Sequence, residues 1–308
     1  MQEIYQKTIL KPIKFEGIGL HSGSKAKVNI LPADGDHGIV FKRTDLKKDN
    51  LITANYKNVS SAKLCTTLKN SSGVTVSTVE HLMAAFYMSG IDNALVEIDN
   101  IEIPIMDGSS KNFMDLINTA ALETQNFKRK FLKLIKKVEL NDGSRSISIE
   151  PSNIGLDVEF EIKYDNKIIG TQKNHVKFYN KDLEDIYSSR TFCLYEDIEK
   201  IKKLGLAKGG SLDNAIVVKD DKILNEEGLR NDKEFVNHKI LDLAGDFLLS
   251  GYRIIGSLKC SQGGHYLSCL FLNEIFKDSS SFVELNLENI KLITKEFKTP
   301  INKIAVNA

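Results

Sequence analysis

The sequence predicts an α+β protein made of two domains that share one layout of sheet and helices. Its 308 residues are too many for one small core and suit two domains of ordinary size. Strand-like alternation and helical periodicity occur in both halves of the chain. Two short segments also recur in the same order, since residues 28–32 are similar to 147–151 and residues 86–90 are similar to 247–251. We therefore expect two copies of one sheet-and-helix unit.

The first domain is predicted to open with strands and to continue into a helix. Residues 8–30 alternate as strands do, and the glycines within residues 16–23 permit a turn that interrupts them. A helix is expected over residues 77–90. Ser77 and Glu80 have the spacing of a capping box, and a glycine at position 90 provides the C-terminal stop.

The end of the first domain is predicted in the polar run at residues 123–130, after a second amphipathic helix over about residues 111–122. We expect a first α+β domain over residues 1–126, with a small β insertion at about residues 40–60. The second α+β domain is expected over residues 127–308.

The second domain is predicted to carry an apolar insertion at about residues 193–220. The first pair of recurring segments is offset by 119 residues and the second by 161, so the second copy is longer between them by 42 residues. A helix-like apolar set falls within this excess, namely Leu194, Tyr195, Ile198, Ile201, Leu204 and Leu206. An insertion with so much apolar surface is expected to cover something.

A third helix is predicted near residue 240, with Asp232 as its N-cap and Gly251 as its stop. His238 and Asp242 are four residues apart and lie on the same face, one turn from each other, and Asp246 follows one turn later. Such a pair can hold two coordination positions of one metal ion. Taken alone, the same spacing also describes a surface salt bridge.

The offset between the two copies adds a third candidate ligand. Asp242 follows His81 by 161 residues, so the two side chains occupy equivalent places on equivalent helices. If the domains face each other through these helices, His81, His238 and Asp242 converge. Three nitrogen and oxygen ligands with an open fourth position are typical of a catalytic zinc site.

Four further residues have both a functional and a structural interpretation. Glu80 is either the capping residue of its helix or a general base beside the metal. His265, which follows two glycines, is either catalytic or a loop histidine, and Asp246 either orients it or is a solvated helix residue. Lys239 binds an anionic substrate group or is simply exposed.

Composition and charge exclude several classes of protein. The formal net charge of +1 gives no reason to expect nucleic acid as a partner. No signal peptide and no stretch apolar enough to span a bilayer is recognised, so we expect a location in the cytoplasm or peripherally at the inner membrane. The four cysteines are scattered and are expected to be free, buried thiols.

Six motifs, all in order, resemble the UDP-3-O-acyl-N-acetylglucosamine deacetylase family. They lie at residues 77–85, 90–93, 102–109, 189–192, 238–242 and 264–265. The resemblance implies two domains, each a sheet layered against helices, with the active-site helices between the sheets and a small insertion in each domain. It also implies zinc-dependent hydrolysis of the N-acetyl group of UDP-3-O-acyl-N-acetylglucosamine, the committed step of lipid A biosynthesis in Gram-negative bacteria.

The resemblance implies a role for each site residue. The zinc ligands are His81, His238 and Asp242. Glu80 is the base that activates water, and Thr191 donates a hydrogen bond to the oxyanion. His265, held by Asp246, stabilises that charge and protonates the departing amine. The residues implied in substrate contact are Lys239, Phe192, Gly210 and Ser211, and the insertion forms the passage for the acyl chain.

The resemblance leaves some points open. Lys208 stands directly before Gly209 and Gly210, and either narrows or flanks the acyl passage. His21 matches a family motif without an assigned step. We expect a monomer that holds zinc, with iron as the alternative metal in the cell. A deacetylase acting on another acylated amino sugar and a non-catalytic sugar-nucleotide or lipid-binding protein are the alternative functions.

Overall fold

The computed structural model describes residues 4–180 and 182–285, and its mixed strands and helices confirm the predicted α+β class. The strands of the first half are Tyr5–Ile9 (β1), Ile13–Ile18 (β2), Lys25–Leu31 (β3), Ile39–Arg43 (β4), Leu51–Thr53 (β5), Val59–Ser61 (β6), Thr67–Lys69 (β7), Thr75–Val76 (β8), Ala94–Ile98 (β9) and Leu122–Lys128 (β10). Those of the second half are Phe131–Leu134 (β11), Val138–Asp142 (β12), Arg145–Glu150 (β13), Leu156–Lys163 (β14), Thr171–Lys177 (β15), Phe192–Leu194 (β16), Ile216–Lys219 (β17), Lys222–Ile223 (β18), Arg253–Ser261 (β19) and Phe282–Leu285 (β20). The α-helices are Glu80–Ser89 (α1), Lys111–Ala120 (α2), Glu184–Tyr187 (α3), Tyr195–Lys203 (α4), Glu234–Leu248 (α5) and His265–Lys277 (α6).

Each half contains a sheet with the same sequence of pairings. In the first half the order is β2-β3-β9-β4-β5, and only the β4–β9 pair is parallel. In the second half β12, β13, β19, β14 and β15 are paired in that order, and only the β14–β19 pair of these is parallel. β11 and β20 extend the second sheet beside the first residues of β19. The strand in the middle of these five directly follows a buried helix in each half: β9 follows α1, and β19 follows α5.

The helices α1 and α5 pack directly against each other. Every residue of α1 from Glu80 to Tyr87 is buried, and α5 exposes part of Lys239 alone among its residues. Gly245 is what allows the close approach, because a Cβ atom there would lie 2.1 Å from the carbonyl oxygen of Glu80. Polar side chains on these helices are consequently removed from water. They require partners inside the protein.

The predicted N-caps of both helices are wrong, whereas Gly90 ends α1 in the left-handed conformation as predicted. α1 begins at Glu80 with no side-chain cap, and the Ser77 hydroxyl instead donates to the carbonyl of Ile101. α5 begins at Glu234, and Asp232 does not cap it. For α1 the physical reason is that the carboxylate of the predicted capping box is used elsewhere. The first-turn carboxylate of α5 is also engaged outside its helix. Glu80 accepts a hydrogen bond from the backbone N–H of Thr66, and Glu234 forms a buried ion pair with an arginine.

Two predicted boundaries can be located on the strands of the structure. Residues 40–60 include β4 and β5, which belong to the five-stranded sheet, and the small separate sheet is formed by β6, β7 and β8. The polar run at residues 123–130 is largely strand β10, which pairs with β1. A strand that is exposed on both faces has a polar sequence, which resembles that of a connection. The expected boundary at residues 126 and 127 lies inside this strand.

The insertion of the second half consists of β16, α4, β17 and β18. The helix-like periodicity near residue 200 is confirmed as α4, which buries none of its residues fully. The cysteines are free as predicted, although only Cys260 is buried and Cys65, Cys193 and Cys269 are half-buried.

Candidate metal centre and active site

The histidine and aspartate residues predicted to converge lie together between α1 and α5. His81, His238 and Asp242 are buried, and each offers one ligand atom within 4.8 Å of the others. The Oδ1 atom of Asp242 is 3.5 Å from Nε2 of His81 and 3.3 Å from Nε2 of His238. The two imidazole rings meet edge to face, with centroids 5.0 Å apart.

The unsatisfied atoms of this group fit a cation. Asp242 Oδ1 is buried and, within the described part of the chain, has no hydrogen-bond partner. Burial lowers the pKa of His238 to about 3 in spite of the nearby Asp242, so the imidazole is neutral. Its Nδ1–H donates to the carbonyl of Ser189 at 3.1 Å, which leaves the lone pair on Nε2. A neutral histidine with a fixed tautomer and a carboxylate oxygen without a donor are what a metal ligand set requires.

Asp242 remains ionised despite its position. Burial opposes its charge, but His238, Lys239 and His265 outweigh burial and hold the pKa of Asp242 well below its usual range. The ammonium of Lys239 lies 3.0 Å from Asp242 Oδ2 and 5.5 Å from the centre of the Phe192 ring. Lys239 and Phe192, both predicted to contact substrate, therefore lie beside the candidate metal ligand Asp242.

Glu80 and His265 face each other next to the candidate metal ligands. His265 Nε2 is 3.6 Å from Glu80 Oε1 and 3.8 Å from Asp242 Oδ2. Burial raises the pKa of Glu80, which brings its carboxyl group nearer to the range of a useful general base. Glu80 is therefore directed into the site and not to the start of its own helix.

Asp246 holds His265 in a defined orientation. The Nδ1–H of His265 donates to Asp246 Oδ2 at 2.9 Å. Burial alone would favour the neutral ring, but the carboxylates of Asp246, Asp242 and Glu80 outweigh it and raise the pKa of His265 to about 10. The imidazolium at neutral pH is a proton donor whose Nε2–H points towards Glu80 and Asp242.

Thr66, which sequence reasoning missed, connects these groups. Its backbone N–H donates to Glu80 Oε2 at 3.0 Å, and its hydroxyl donates to Asp246 Oδ1 at 2.7 Å. Thr66 is 1% exposed and belongs to the loop between β6 and β7. The small sheet of the first half therefore positions both the candidate base and the partner of the candidate acid. No local pattern identifies such a residue, because its role depends on contacts 14 and 180 residues away.

The segment that contains Thr191 is fixed by a second group of residues that the sequence did not indicate. Arg190 is 1% exposed and pairs with the fully buried Glu234 at 2.8 Å and with Glu227. The neighbouring Ser189 supplies the carbonyl that His238 uses, and the N–H of Thr191 donates to the carbonyl of Gly108 at 2.8 Å. The arginine within the motif at residues 189–192 is the one feature that could have indicated this support.

The glycine-rich turn after α4 lies against the turn between β2 and β3. The N–H groups of Lys208 and Gly209 donate to the carbonyls of His21 and Leu20 at 3.3 and 3.0 Å. Gly210 and Ser211 follow in this turn, and the N–H of Ser211 donates to Asn214. Both ring nitrogens of His21 are buried without a partner among the described residues, and burial lowers its pKa.

Comparison with known proteins decides the family. The family model of UDP-3-O-acyl N-acetylglycosamine deacetylase matches residues 6–277, which is most of the chain. The chain belongs to this deacetylase family. The resemblance predicted from the motifs is thereby confirmed.

Relatives in this deacetylase family are similar over almost their whole length. A UDP-3-O-acyl-N-acetylglucosamine deacetylase of Pasteurella multocida (strain Pm70) is 39% identical over 300 residues, which cover 96% of this chain and 98% of the relative. Those of Vibrio campbellii (strain ATCC BAA-1116) and Actinobacillus succinogenes (strain ATCC 55618) are 40% and 41% identical, each covering 91% of this chain and 92% of the relative.

Proposed function

We propose that this chain hydrolyses the N-acetyl group of UDP-3-O-acyl-N-acetylglucosamine, giving acetate and UDP-3-O-acyl-glucosamine in the committed step of lipid A biosynthesis. The observation that supports the proposal is a buried cluster in a member of the deacetylase family. The candidate ligands His81, His238 and Asp242 lie there beside Glu80 and His265. The assigned reaction needs a base, an acid and a Lewis acid in one place.

His81, His238 and Asp242 would hold the metal, and zinc fits this set of two imidazoles and one carboxylate best. When bound, zinc polarises the acetamide carbonyl and makes water acidic enough to lose a proton near neutral pH. The same ligands accept Fe²⁺, which is the alternative in the cell. Asp242 provides the negative charge, and the neutral His238 provides a lone pair whose direction is fixed by Ser189.

The protein's own side chains move the protons. Glu80, ionised at the start, takes a proton from the attacking water as the bond from oxygen to the acetyl carbon forms. His265 gives its Nε2 proton to the amine nitrogen as the C–N bond breaks, and Asp246 stabilises the imidazolium until then. Between these two steps, the Thr191 hydroxyl donates a hydrogen bond to the oxyanion. The products are acetate and the free 2-amine.

Substrate contacts are assigned by position. Lys239 and Phe192 lie beside the metal ligands and contact the substrate there. The insertion formed by β16, α4, β17 and β18 lines the acyl passage, with Gly210 and Ser211 at its turn. The Lys208 side chain is exposed, which favours a position beside this passage over one that narrows it. The chain acts as a monomer in the cytoplasm, and along the described ranges no helix has the length and apolarity to cross a bilayer.

We also propose that the two halves are diverged copies with a boundary near residue 126. The support is the identical order and direction of the five paired strands in each half. A helix precedes the parallel central strand in both halves, and another helix follows it. The copies meet through α1 and α5, so the two helices that carry the metal ligands face each other.

The test is turnover of UDP-3-O-acyl-N-acetylglucosamine by purified protein with a measured metal content. We expect about one zinc per chain, loss of activity with a chelator, and recovery with stoichiometric zinc. N-acetylglucosamine acylated at the same position but without UDP is the control substrate. Equal turnover of both substrates would instead assign a deacetylase of another acylated amino sugar. Absence of turnover by zinc-loaded protein would assign a binding protein.

A further inference from the structure

A basic and apolar surface surrounds the end of α4. Residues 200–212 contain four lysines and no acidic residue, in a chain whose formal net charge is only +1. Of these, Lys202, Lys203 and Lys208 are exposed, and no ion pair within residues 4–180 and 182–285 involves them. Lys200 pairs with Asp197, so three exposed lysines of this short segment remain without an ion pair among the described residues.

Aliphatic side chains are exposed at the same place. Leu204 is 61% exposed, Leu212 43% and Ile18 41%. Ile18 belongs to this surface because its Cγ2 atom lies only 2.7 Å from where a Cβ atom of Gly209 would be. We call this set the lysine-leucine surface, and it consists of Ile18, Lys202, Lys203, Leu204, Lys208 and Leu212.

The backbone at this surface is held in place by hydrogen bonds. Backbone hydrogen bonds from Lys208 and Gly209 attach the turn after α4 to the β2–β3 turn. The N–H of Leu206 donates to the carbonyl of Ile201, which closes the end of the helix. The exposed leucines and lysines are thus presented by a stable support.

We propose that the lysine-leucine surface binds an anionic lipid bilayer. Lysine ammonium groups are attracted to anionic headgroups, and aliphatic side chains beside them enter the headgroup boundary, which is the pattern of interfacial membrane segments. Nucleic acid fits less well, because the set has no arginine and no aromatic side chain to stack on bases. A second copy fits less well, since a two-fold contact would place lysines against lysines.

The test measures binding to lipid vesicles without substrate, so its result is independent of the proposed deacetylase activity. Full-length protein is sedimented with vesicles of phosphatidylcholine containing one quarter phosphatidylglycerol, and with vesicles of phosphatidylcholine alone. We expect binding to the anionic vesicles, weakening at high salt because the attraction is screened. Vesicle binding by Lys202→Glu/Lys203→Glu protein should fall at least about tenfold, from the loss and reversal of two charges.

The matched control is Lys47→Glu/Lys48→Glu, which changes the net charge equally at another exposed pair of lysines. This control should retain most of the binding. Leu204→Ser removes the most exposed apolar group of the lysine-leucine surface without changing charge and should weaken binding by several-fold.

Three outcomes would overturn the proposal. One is that the original protein does not bind the anionic vesicles. Another is that both double variants lose binding equally, which would mean that net charge and not this surface is responsible. The third is a concentration-dependent increase in molecular mass that Leu204→Ser abolishes, since a second copy of the chain would then occupy the surface.

Discussion

The hydroxyl of Thr66 donates a 2.7 Å hydrogen bond to Asp246, across 180 residues of sequence, while the N–H of the same residue donates to Glu80. One buried residue, in the loop between β6 and β7, therefore sets the positions of the candidate base and of the carboxylate that orients the candidate acid. Because the bond to Asp246 uses the hydroxyl and the bond to Glu80 uses the backbone, a substitution can separate the two effects.

Replacing Thr66 with valine should lower kcat about tenfold and leave KM nearly unchanged, since one hydrogen bond to a charged group is worth roughly 1.5 kcal/mol or more. Valine keeps the volume and the backbone N–H, so Glu80 remains in place. Thr66→Ser should restore most of the activity by restoring the hydroxyl. The adjacent Thr67→Val is the control. Equal loss of activity in Thr66→Ser and Thr66→Val would show that the hydroxyl is not responsible.

Glu80→Gln should retain zinc and fold normally but lose activity by about 100-fold to 10,000-fold, because the amide cannot accept the proton of water. Metal analysis and steady-state rates, measured on the same sample, separate loss of base from loss of metal. Substantial turnover with full zinc would contradict the assignment of Glu80. The variant should also lack the decrease in rate at acidic pH that protonation of Glu80 causes.

The pH dependence should reveal the link between His265 and Asp246. Since the pKa of His265 is raised to about 10, it carries its proton at neutral pH and the rate should fall only as the pH rises towards that value. Asp246→Asn removes a carboxylate that raises this pKa, so the alkaline decrease should move about 1–3 units towards neutrality. Asp157→Asn, at the exposed ion pair with His175, is the control and should leave the profile unchanged. An unmoved profile in Asp246→Asn would remove Asp246 from this role.

Loss of His238 should abolish stoichiometric metal binding. His238→Ala leaves one imidazole and one carboxylate, too few for a stable zinc site. Metal content after dialysis, measured by atomic spectroscopy, is the readout. The exposed His175→Ala variant is the control and should hold metal as the original protein does. A full equivalent of zinc in His238→Ala would mean that the ligand set is wrong.

Gly245→Ala should destabilise the protein by about 1–3 kcal/mol, as overpacked core substitutions do. The new Cβ atom would lie 2.1 Å from the carbonyl oxygen of Glu80, so one of the two helices must move. Denaturant unfolding measures the free-energy change, and zinc affinity of the folded variant measures the displacement of the ligands. Unchanged stability together with unchanged zinc affinity would show that the helices tolerate separation.

The meeting of the three candidate metal ligands could be predicted from the sequence, because helical spacing and the offset between the two recurring segments are both read directly from residue numbers. Residues four apart lie on one face of a helix, as His238 and Asp242 do. The offset of 161 residues between the recurring segments then relates Asp242 to His81. The contacts that orient them could not be predicted in this way. Ser189 acts through its carbonyl oxygen, which every residue type has.

Capping and boundaries were harder for a related reason. The spacing of Ser77 and Glu80 fits a capping box, yet nothing local shows that Thr66 offers a competing N–H to the same carboxylate. The polar composition of β10 likewise does not reveal its pairing with β1, whose residues lie more than 100 positions earlier. Long-range pairing, and not local preference, decided both cases.

The close packing of α1 and α5 at Gly245 brings candidate metal ligands from the two halves of the chain together. Neither half contains all three candidate ligands, so a cation can contact all of them only when the two halves are docked. Its binding free energy is then added to the free energy of docking. If zinc is bound there, zinc binding and the docking of the two halves are thermodynamically linked, and a change that weakens docking weakens zinc binding by the same free energy.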